Sequence, residues 1–142
     1  MTPKTKTKTK TKTKTKTKTQ MKMKLAAITL DCPDPPALAE FYQQATGFEP
    51  HPKSDAEFAA LNREDGLLLG FQRVDDYRAP QWPDQTVPQQ AHMCFDVPDL
   101  DEAEARLLEL GAGKPDHQPH DPTRARVLTD PAGHPFCICR RG

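Results

Sequence analysis

The stretch Ala91-His92-Met93-Cys94-Phe95-Asp96-Val97 alternates between apolar and polar side chains. Apolar side chains fall at positions 93, 95 and 97, and an imidazole, a thiol and a carboxylate fall at 92, 94 and 96. Alternation with a period of two is typical of a β-strand that packs one face on a core. We therefore predict a strand over 91–97. Its other face is either solvated or lines a binding site.

A second copy of this pattern lies 65 residues earlier in the chain. Residues 28–34, Ile-Thr-Leu-Asp-Cys-Pro-Asp, align with residues 93–99, Met-Cys-Phe-Asp-Val-Pro-Asp. In both copies the last aspartate is placed to cap a helix, and a glycine follows the helical periodicity as a stop. Chance similarity is the alternative interpretation, and the shared Asp-x-Pro-Asp sequence argues against it.

Further strand candidates follow each predicted helix. They occupy residues 58–62, 67–74, 124–129 and 135–139, and residues 48–57 are expected to be irregular or edge structure. Two copies of strand-helix-strand-strand-strand predict an α+β fold built from duplicated βαβββ modules. The predicted modules span 25–74 and 89–140 within one domain over 25–142, and a linker over 75–88 joins them.

The charge of the chain is divided between its two ends. Residues 1–24 contain 10 of the 20 Lys and Arg and none of the 20 Asp and Glu, so the body has a formal charge of −10. The Lys-Thr alternation has little apolar surface to bury, and we predict that 1–24 is a disordered tail. Two interpretations stay open: electrostatic contact with nucleic acid or anionic lipid, and a low-complexity extension or mis-assigned start ahead of Met23. The acidic body disfavours nucleic-acid binding by the folded domain.

The cysteines and the apolar segments indicate where the protein is found. Four cysteines are present without a CxxC pair, and the body is long enough to form a core without disulfides. We expect reduced, buried thiols and a cytoplasmic protein. No apolar run reaches the roughly 18 residues of a membrane span, and the basic tail is not followed by the apolar h-region of a signal peptide. We therefore expect neither membrane association nor secretion.

Three segments resemble the vicinal oxygen chelate (VOC) superfamily. They are residues 28–34 with the following helix and Gly47-Phe48, residues 92–101 with the second helix, and the ending Asp130-Pro131-Ala132-Gly133-His134-Pro135-Phe136-Cys137. The resemblance extends from about Leu25 to Cys139. The Phe-Gln-Arg-Val strand, the Trp-Pro linker and the Gly-His-Pro-Phe-Cys ending are similar to actinobacterial glyoxalase-like proteins. The resemblance implies two βαβββ modules whose curved mixed sheets form a cup, with the helices outside.

The resemblance also implies where a metal would bind. In metal-dependent members of the superfamily, four cup positions supply His, Glu or Gln ligands, and they correspond here to Ala27, Gly70, His92 and Cys137. Ala27 and Gly70 have no donating side chain, so we expect no catalytic metal, with a divalent metal as the alternative. His92 with Cys137, and with the thiols at 94 and 139, could hold a soft ion. The alternative is small buried thiols beside a hydrogen-bonded histidine.

Two polar side chains are candidates for ligand binding beside His92. Gln72 lies two residues after Gly70 and points to the same strand face, with a solvated strand end as the alternative. Asp31 and its repeat-related Asp96 lie near strand ends. They are either paired acids, one with a raised pKa, or helix-capping and solvent-exposed carboxylates.

Two aromatic residues stand out in the otherwise polar linker. Trp82 and Tyr77 either form the lip of the cup and stack on a ligand, or anchor the linker to the body or to a partner subunit. The histidines at 117, 120 and 134 are expected at the surface or in turns. The arginines at 124 and 126 either neutralise an acidic ligand or pair with local carboxylates.

These observations lead us to expect a VOC protein that binds a small organic ligand, similar to the bleomycin-resistance branch of the superfamily. The ligand would lie between His92, Gln72, Trp82 and Asp31, with Tyr77 nearby. The alternative is a glyoxalase-type lyase or isomerase in which His92 is a general base or a metal ligand. A third hypothesis is a partner-binding module that uses the tail. A homodimer stays open, because the superfamily pairs its modules within one chain or across two.

Overall fold

A computed structural model of the chain describes residues 20–140. Residues 1–19, which make up most of the predicted disordered tail, lie outside the described residues, as do 141–142. Residues 20–26 precede the first strand with exposed side chains. The described elements, in chain order, are β1 (Ala27–Cys32), α1 (Pro35–Thr46), β2 (Glu49–Pro50), β3 (Phe58–Asn62), β4 (Leu68–Arg73), β5 (Met93–Val97), α2 (Leu100–Leu110), β6 (Ala125–Thr129) and β7 (Pro135–Arg140).

Both helices begin and end where the sequence predicts. Oδ1 of Asp34 accepts a hydrogen bond from the backbone N–H of Ala37 over 3.2 Å, and Asp99 accepts one from Glu102 over 3.0 Å. These caps satisfy backbone donors that the first turn of a helix leaves free. Each helix stops at a glycine in the left-handed conformation, Gly47 in α1 and Gly111 in α2.

The strands form two mixed sheets, with the orders β1-β4-β3-β2 and β5-β7-β6. In the first sheet β1 runs parallel to β4, and Thr29 is the register partner of Gly70. In the second sheet β5 runs parallel to β7, and Cys94 is the register partner of Cys137. The first members of the two pairs are 65 residues apart in the sequence and the second members are 67 apart, so the modules repeat the same parallel pairing with two more residues between the paired positions of the second. The duplication therefore extends to the strand register, and the predicted α+β fold is confirmed.

The second module differs from the first at one strand. The place of β2 is taken by an isolated bridge between Gly113 and Thr129. The side chain of Gln118 pairs with the adjacent backbone: it donates to the carbonyl of Val127 over 2.8 Å and accepts from the same residue's N–H over 2.9 Å. A side-chain amide thus satisfies part of the β6 edge, which would otherwise leave backbone groups unpaired.

The core lies between the helices and one face of each sheet. Leu30 and Cys32 of β1 are buried, and Phe95 of β5 packs on the same cluster. The ring of Tyr42 in α1 stacks on Phe71 at a centroid distance of 5.5 Å and lies 6.1 Å from the ring of Phe136 in β7. Because α1 contacts strands of both modules, the two modules share a hydrophobic core.

Most of the observed strands are slightly shorter than the predicted ones, and β7 is one residue longer. The predicted strand over 91–97 begins at Met93, so Ala91 and His92 precede it, and the predicted strand from Leu25 begins at Ala27. The prediction for 58–62 is confirmed without change. Among residues 20–140, neither helix has the length and apolar character that a membrane crossing requires.

Candidate functional site

The sheet face opposite the helices carries the polar side chains of β1 and β5. Thr29 of β1 and Cys94 and Asp96 of β5 are exposed, whereas the alternate residues pack on the core. His92, just ahead of β5, is also exposed. The period-two pattern therefore places the imidazole, the thiol and the carboxylate away from the core, as predicted.

His92 makes hydrogen bonds through both of its ring nitrogens. Its Nδ1 atom lies 3.1 Å from Oε1 of Gln89, and its Nε2 atom lies 2.9 Å from Sγ of Cys137. Because an amide oxygen can only accept, Nδ1 carries the proton and Nε2 accepts from the thiol. Cys94 completes the group: its Sγ atom, that of Cys137 and a ring nitrogen of His92 all lie within 4.8 Å of one another.

The electrostatics keep His92 and Cys137 neutral at pH 7. Partial burial, and then the charge of His120, lower the pKa of His92 below its ordinary value of 6.5. Burial raises the pKa of the Cys137 thiol to about 12, with further contributions from Cys94 and Cys139. His92 is therefore a neutral base, and Cys137 is a thiol rather than a thiolate nucleophile. The expectation of buried cysteines is wrong for Cys94, which is exposed.

Trp82 lies close to two histidine rings. Its ring centroid is 6.4 Å from that of His92 and 5.1 Å from that of His117, with interplanar angles of 54° and 57°. The tryptophan side chain is half-buried, and the peptide bond to Pro83 is cis. The linker thus positions the Trp82 indole beside the polar sheet face, next to the cluster of His92, Cys94 and Cys137. The sequence singles out Trp82, but nothing in it predicts the contact with His117.

The positions of the superfamily's metal ligands do not form a hard-metal site in this chain. Ala27 offers no donor. At Gly70, an added Cβ atom would lie 2.8 Å from Cζ of Phe58 and 3.0 Å from Oγ1 of Thr29, so the aromatic ring occupies the space of a side chain. Hard divalent ions require several oxygen or imidazole ligands. The first module supplies none at these two positions, so the donor set does not fit such an ion.

Asp31 and Gln72 are register partners in the first sheet, but their polar groups are engaged with other residues. The side-chain oxygen of Gln90 accepts a hydrogen bond from the backbone N–H of Asp31 over 2.9 Å. The side-chain nitrogen of Gln90 donates to the Asp31 carboxylate over 3.2 Å. The amide of Gln72 donates to the backbone carbonyl of Glu57 over 3.1 Å. The capping alternative for Asp31 and Asp96 is wrong, because Asp34 and Asp99 cap the helices, whereas the solvent-exposed alternative is confirmed for Asp96.

Tyr77 fastens the linker to the second module. Its hydroxyl donates to the carbonyl of Ala132 over 2.7 Å and lies 3.2 Å from Nε2 of His134. Nε2 of His134 in turn donates to the carbonyl of Asp31 over 2.7 Å. The hydrogen bond from His134 to Asp31 joins the two modules. The hydrogen bonds of Tyr77 agree with the alternative in which it anchors the linker to the body. The expectation of a surface position is wrong for His134, which is 1% exposed.

The arginines on β6 behave differently from each other. The Arg126 guanidinium pairs with Asp101 over 2.9 Å and with Glu104 over 3.2 Å, both on α2. Its side chain is mostly covered, whereas Arg124 is exposed. Arg126 therefore links a strand to a helix through local carboxylates, which was the simpler of the two interpretations.

A separate cleft lies on the other side of the sheets. It has a volume of about 330 Å³ and opens between the two helices and β5. Its walls include the core aromatics Phe41, Phe95 and Phe136. None of the predicted ligand-binding residues lines it, so it is not the cup that the sequence predicts.

Comparisons with known proteins agree with this architecture. A family model described as a glyoxalase-like domain matches residues 27–139. A comparison with curated proteins found no match.

Three solved structures illustrate the range of proteins with a similar fold. A glyoxalase/bleomycin resistance protein/dioxygenase family enzyme from Burkholderia phytofirmans PsJN is 22% identical, with a TM-score of 0.64 over 83% of this chain and 98% of that one. A bleomycin-binding protein from Streptomyces verticillus, solved with copper(II)-bleomycin, is 21% identical, with a TM-score of 0.52 over 87% and 100%. A lactoylglutathione lyase from Agrobacterium tumefaciens is 19% identical, with a TM-score of 0.56 over 84% and 95%. At these identities the likeness shows the fold alone.

Proposed function

The chain belongs to the glyoxalase-like domain family of the VOC superfamily, and we propose that it binds a small aromatic molecule on the open face of its sheets. The observation that carries the proposal is the proximity of Trp82 to both His92 and His117. An indole near two imidazoles offers π-faces for stacking together with hydrogen-bonding nitrogens at the ring edges. Such a surface suits a planar ligand with polar substituents.

The proposed binding does not use the hard-metal centre of the superfamily's enzymes. Ala27 has no donor atom, and the Phe58 ring occupies the space beside Gly70. The bleomycin-binding protein with the same fold is a precedent for ligand capture by this architecture. The free thiols in the described part of the chain support a reducing compartment such as the cytoplasm.

The proposal is tested through Trp82, which is the only tryptophan of the chain. The full-length protein is titrated with metal-free bleomycin and with a set of planar heteroaromatic fragments, and the tryptophan emission is followed. We expect a saturable change in emission, unaltered by added Mg²⁺ or Mn²⁺. Calorimetry with Trp82→Ala should show loss of binding, whereas Gln85→Ala in the same linker should retain it. Binding that survives Trp82→Ala, or that requires Mg²⁺, contradicts the proposal.

A second candidate function is an enzyme in which His92 is a general base. The observation in its favour is the depressed pKa of His92, which leaves the ring neutral, with Gln89 holding the tautomer. The test is conversion of lactoylglutathione by the wild type and by His92→Gln, with the fold checked by circular dichroism. Turnover that falls by about 10²–10⁴-fold in the variant favours the enzyme. Unchanged turnover excludes His92 as the base.

A further inference from the structure

We infer that His92, Cys94 and Cys137 form a binding site for one thiophilic d¹⁰ ion, Zn²⁺ or Cu⁺. The three side chains offer one imidazole nitrogen and two sulfur atoms that lie within 4.8 Å of one another. This site shares His92 with the proposed ligand-binding surface but stands without that proposal, because its donors do not include Trp82. It uses two of the four positions that the resemblance implies for a hard metal, His92 and Cys137, but it differs in its donors, because the exposed thiol of Cys94 replaces the two positions of the first module.

The strand register brings the two thiols together. Cys94 on β5 and Cys137 on β7 are direct partners in the parallel ladder. Side chains of register partners point to the same face of a sheet, so both sulfur atoms face away from the helices. Two rigid strands therefore hold the thiols, and the sulfur–sulfur separation is set by the sheet rather than by a flexible loop.

The third donor has the freedom to adjust. Nε2 of His92 lies 2.9 Å from Sγ of Cys137. Two ligands of one tetrahedral zinc ion are roughly 3.5 Å apart, given Zn–S and Zn–N bonds of about 2.3 and 2.0 Å. The ring has to move away from the sulfur by about half an ångström. His92 precedes β5 instead of pairing within it, so the ladder does not resist this movement.

Gln89 prepares the imidazole for this role. Its amide oxygen accepts the proton of Nδ1 over 3.1 Å, which leaves the Nε2 lone pair directed at the thiols. Histidine ligands of metals usually donate their second ring N–H to a carbonyl or a carboxylate in this manner. Gln89 is therefore the positioning residue of the site.

The donor chemistry determines the class of ion. Two thiolates and an imidazole suit Zn²⁺ or Cu⁺, whereas Mg²⁺, Ca²⁺ and Mn²⁺ prefer oxygen ligands. Binding displaces the two thiol protons and leaves the oxidation state of the ion unchanged. His92 and Cys94 are exposed, so a fourth coordination position faces solvent, as in zinc sites with three protein ligands.

The test uses Co²⁺ as a spectroscopic probe of the reduced full-length protein. We expect one equivalent of Co²⁺ to produce a sulfur-to-cobalt charge-transfer band, and one equivalent of Zn²⁺ to abolish it. Cys94→Ser and Cys137→Ser should each remove about half of the band intensity, and His92→Gln should weaken binding. Gln89→Ala should lower the affinity about 10–100-fold, as other outer-shell partners do.

Cys139→Ser is the matched control, because Cys139 lies on the same strand face as Cys137, two residues further along. It should keep the full band and the full affinity. The exposed positions 92 and 94 leave the core untouched, so these variants test the site even where Cys137→Ser does not fold. A parallel titration with Cu⁺ against bicinchoninate determines which ion binds more tightly. Absence of both Zn²⁺ and Cu⁺ binding, or a band that is lost in Cys139→Ser and retained in Cys94→Ser, overturns the inference.

Discussion

The hydroxyl of Tyr42 donates a hydrogen bond to Oδ2 of Asp130 over 2.6 Å, and both side chains are buried. Tyr42 belongs to α1 of the first module, and Asp130 begins the turn before β7 of the second. Oδ1 of the same aspartate accepts the backbone N–H groups of Ala132 and His134. A buried carboxylate needs such donors, because its charge is otherwise costly in an apolar surrounding. This one tie therefore joins the two modules through their core.

Replacing Tyr42 with Phe should destabilise the fold by about 1–3 kcal/mol. The variant keeps the ring that stacks on Phe71 but leaves Oδ2 of Asp130 buried with one donor fewer. The measurement is the free energy of unfolding in urea at pH 7. Tyr77→Phe is the control, because its hydroxyl is only partly buried and donates to a neutral carbonyl. An equal or larger loss in Tyr77→Phe would show that the Asp130 contact is not the stronger tie.

The protein should lose stability as the pH rises above about 9. Burial raises the pKa of Cys32 from 9.0 to about 11, and burial beside the charge of Asp130 raises the pKa of Tyr42 well above 10.0. In this range the unfolded chain releases these protons while the folded chain keeps them, so the unfolded state gains stability with pH. The contribution from Cys32 is fully present below pH 9 and is lost between about pH 9 and 11.

The check is urea unfolding of the reduced protein at pH 7.5, 8.5, 9.5 and 10.5. Cys32→Ala removes one of the ionising groups, so its stability should fall less steeply with pH, whatever its stability at pH 7.5. A slope between pH 8.5 and 10.5 that equals the wild-type slope would assign the alkaline loss to other groups, with Tyr42→Phe as the next variant to compare.

His120→Gln should raise the pKa of His92. Partial burial lowers that pKa first, and the charge of His120 lowers it further, so removing the second histidine removes only the smaller cause. The pKa of His92 is lower in the folded state than in the unfolded state, where it is 6.5. The folded protein therefore loses stability as the pH falls below 6.5 towards the folded-state pKa. The measurement is an NMR titration of the ring nitrogens, which also reports the tautomer. His51→Gln, in the first module, should leave the midpoint of His92 unchanged.

Most of the helices and strands can be predicted from the sequence, because the patterns that determine them are local. Period-two alternation, the caps at Asp34 and Asp99 and the glycine stops each involve only a few neighbouring residues. The repeat predicts that the first and last strands pair in both modules, and they do, although the partner of Cys94 lies two residues beyond the position that the offset of 65 gives. The prediction of a full βαβββ second module is wrong at one strand, because an isolated bridge between Gly113 and Thr129 stands in its place.

The candidate site depends on contacts that local patterns do not encode. Tyr42 and Asp130 are 88 residues apart, and each alone reads as an ordinary helix or turn residue. Trp82 meets His117 only because of the path that a proline-rich linker takes across the sheet. Period two places Cys94 on the open face, but the distance from its sulfur to the His92 ring depends on a residue that lies outside the strand.

The Phe58 ring explains why position 70 carries no side chain, and this gives the last prediction. Gly70→Ala should destabilise the fold by about 1–3 kcal/mol, because the new Cβ atom would lie 2.8 Å from Cζ of Phe58 and 3.0 Å from Oγ1 of Thr29. In a Phe58→Ala background the ring that lies nearest to the new Cβ atom is gone. Gly70→Ala should then cost less than about 1 kcal/mol, or stabilise slightly, because alanine restricts the unfolded chain more than glycine does.

A double-mutant cycle, with unfolding measured in urea, gives the difference between the two backgrounds as a coupling energy. Phe48→Ala paired with Gly70→Ala should be additive, since Phe48 supplies none of the three atoms nearest to that Cβ position. Additivity in the Phe58 cycle as well would mean that the ring moves aside freely, and a side-chain donor at position 70 would then be sterically possible.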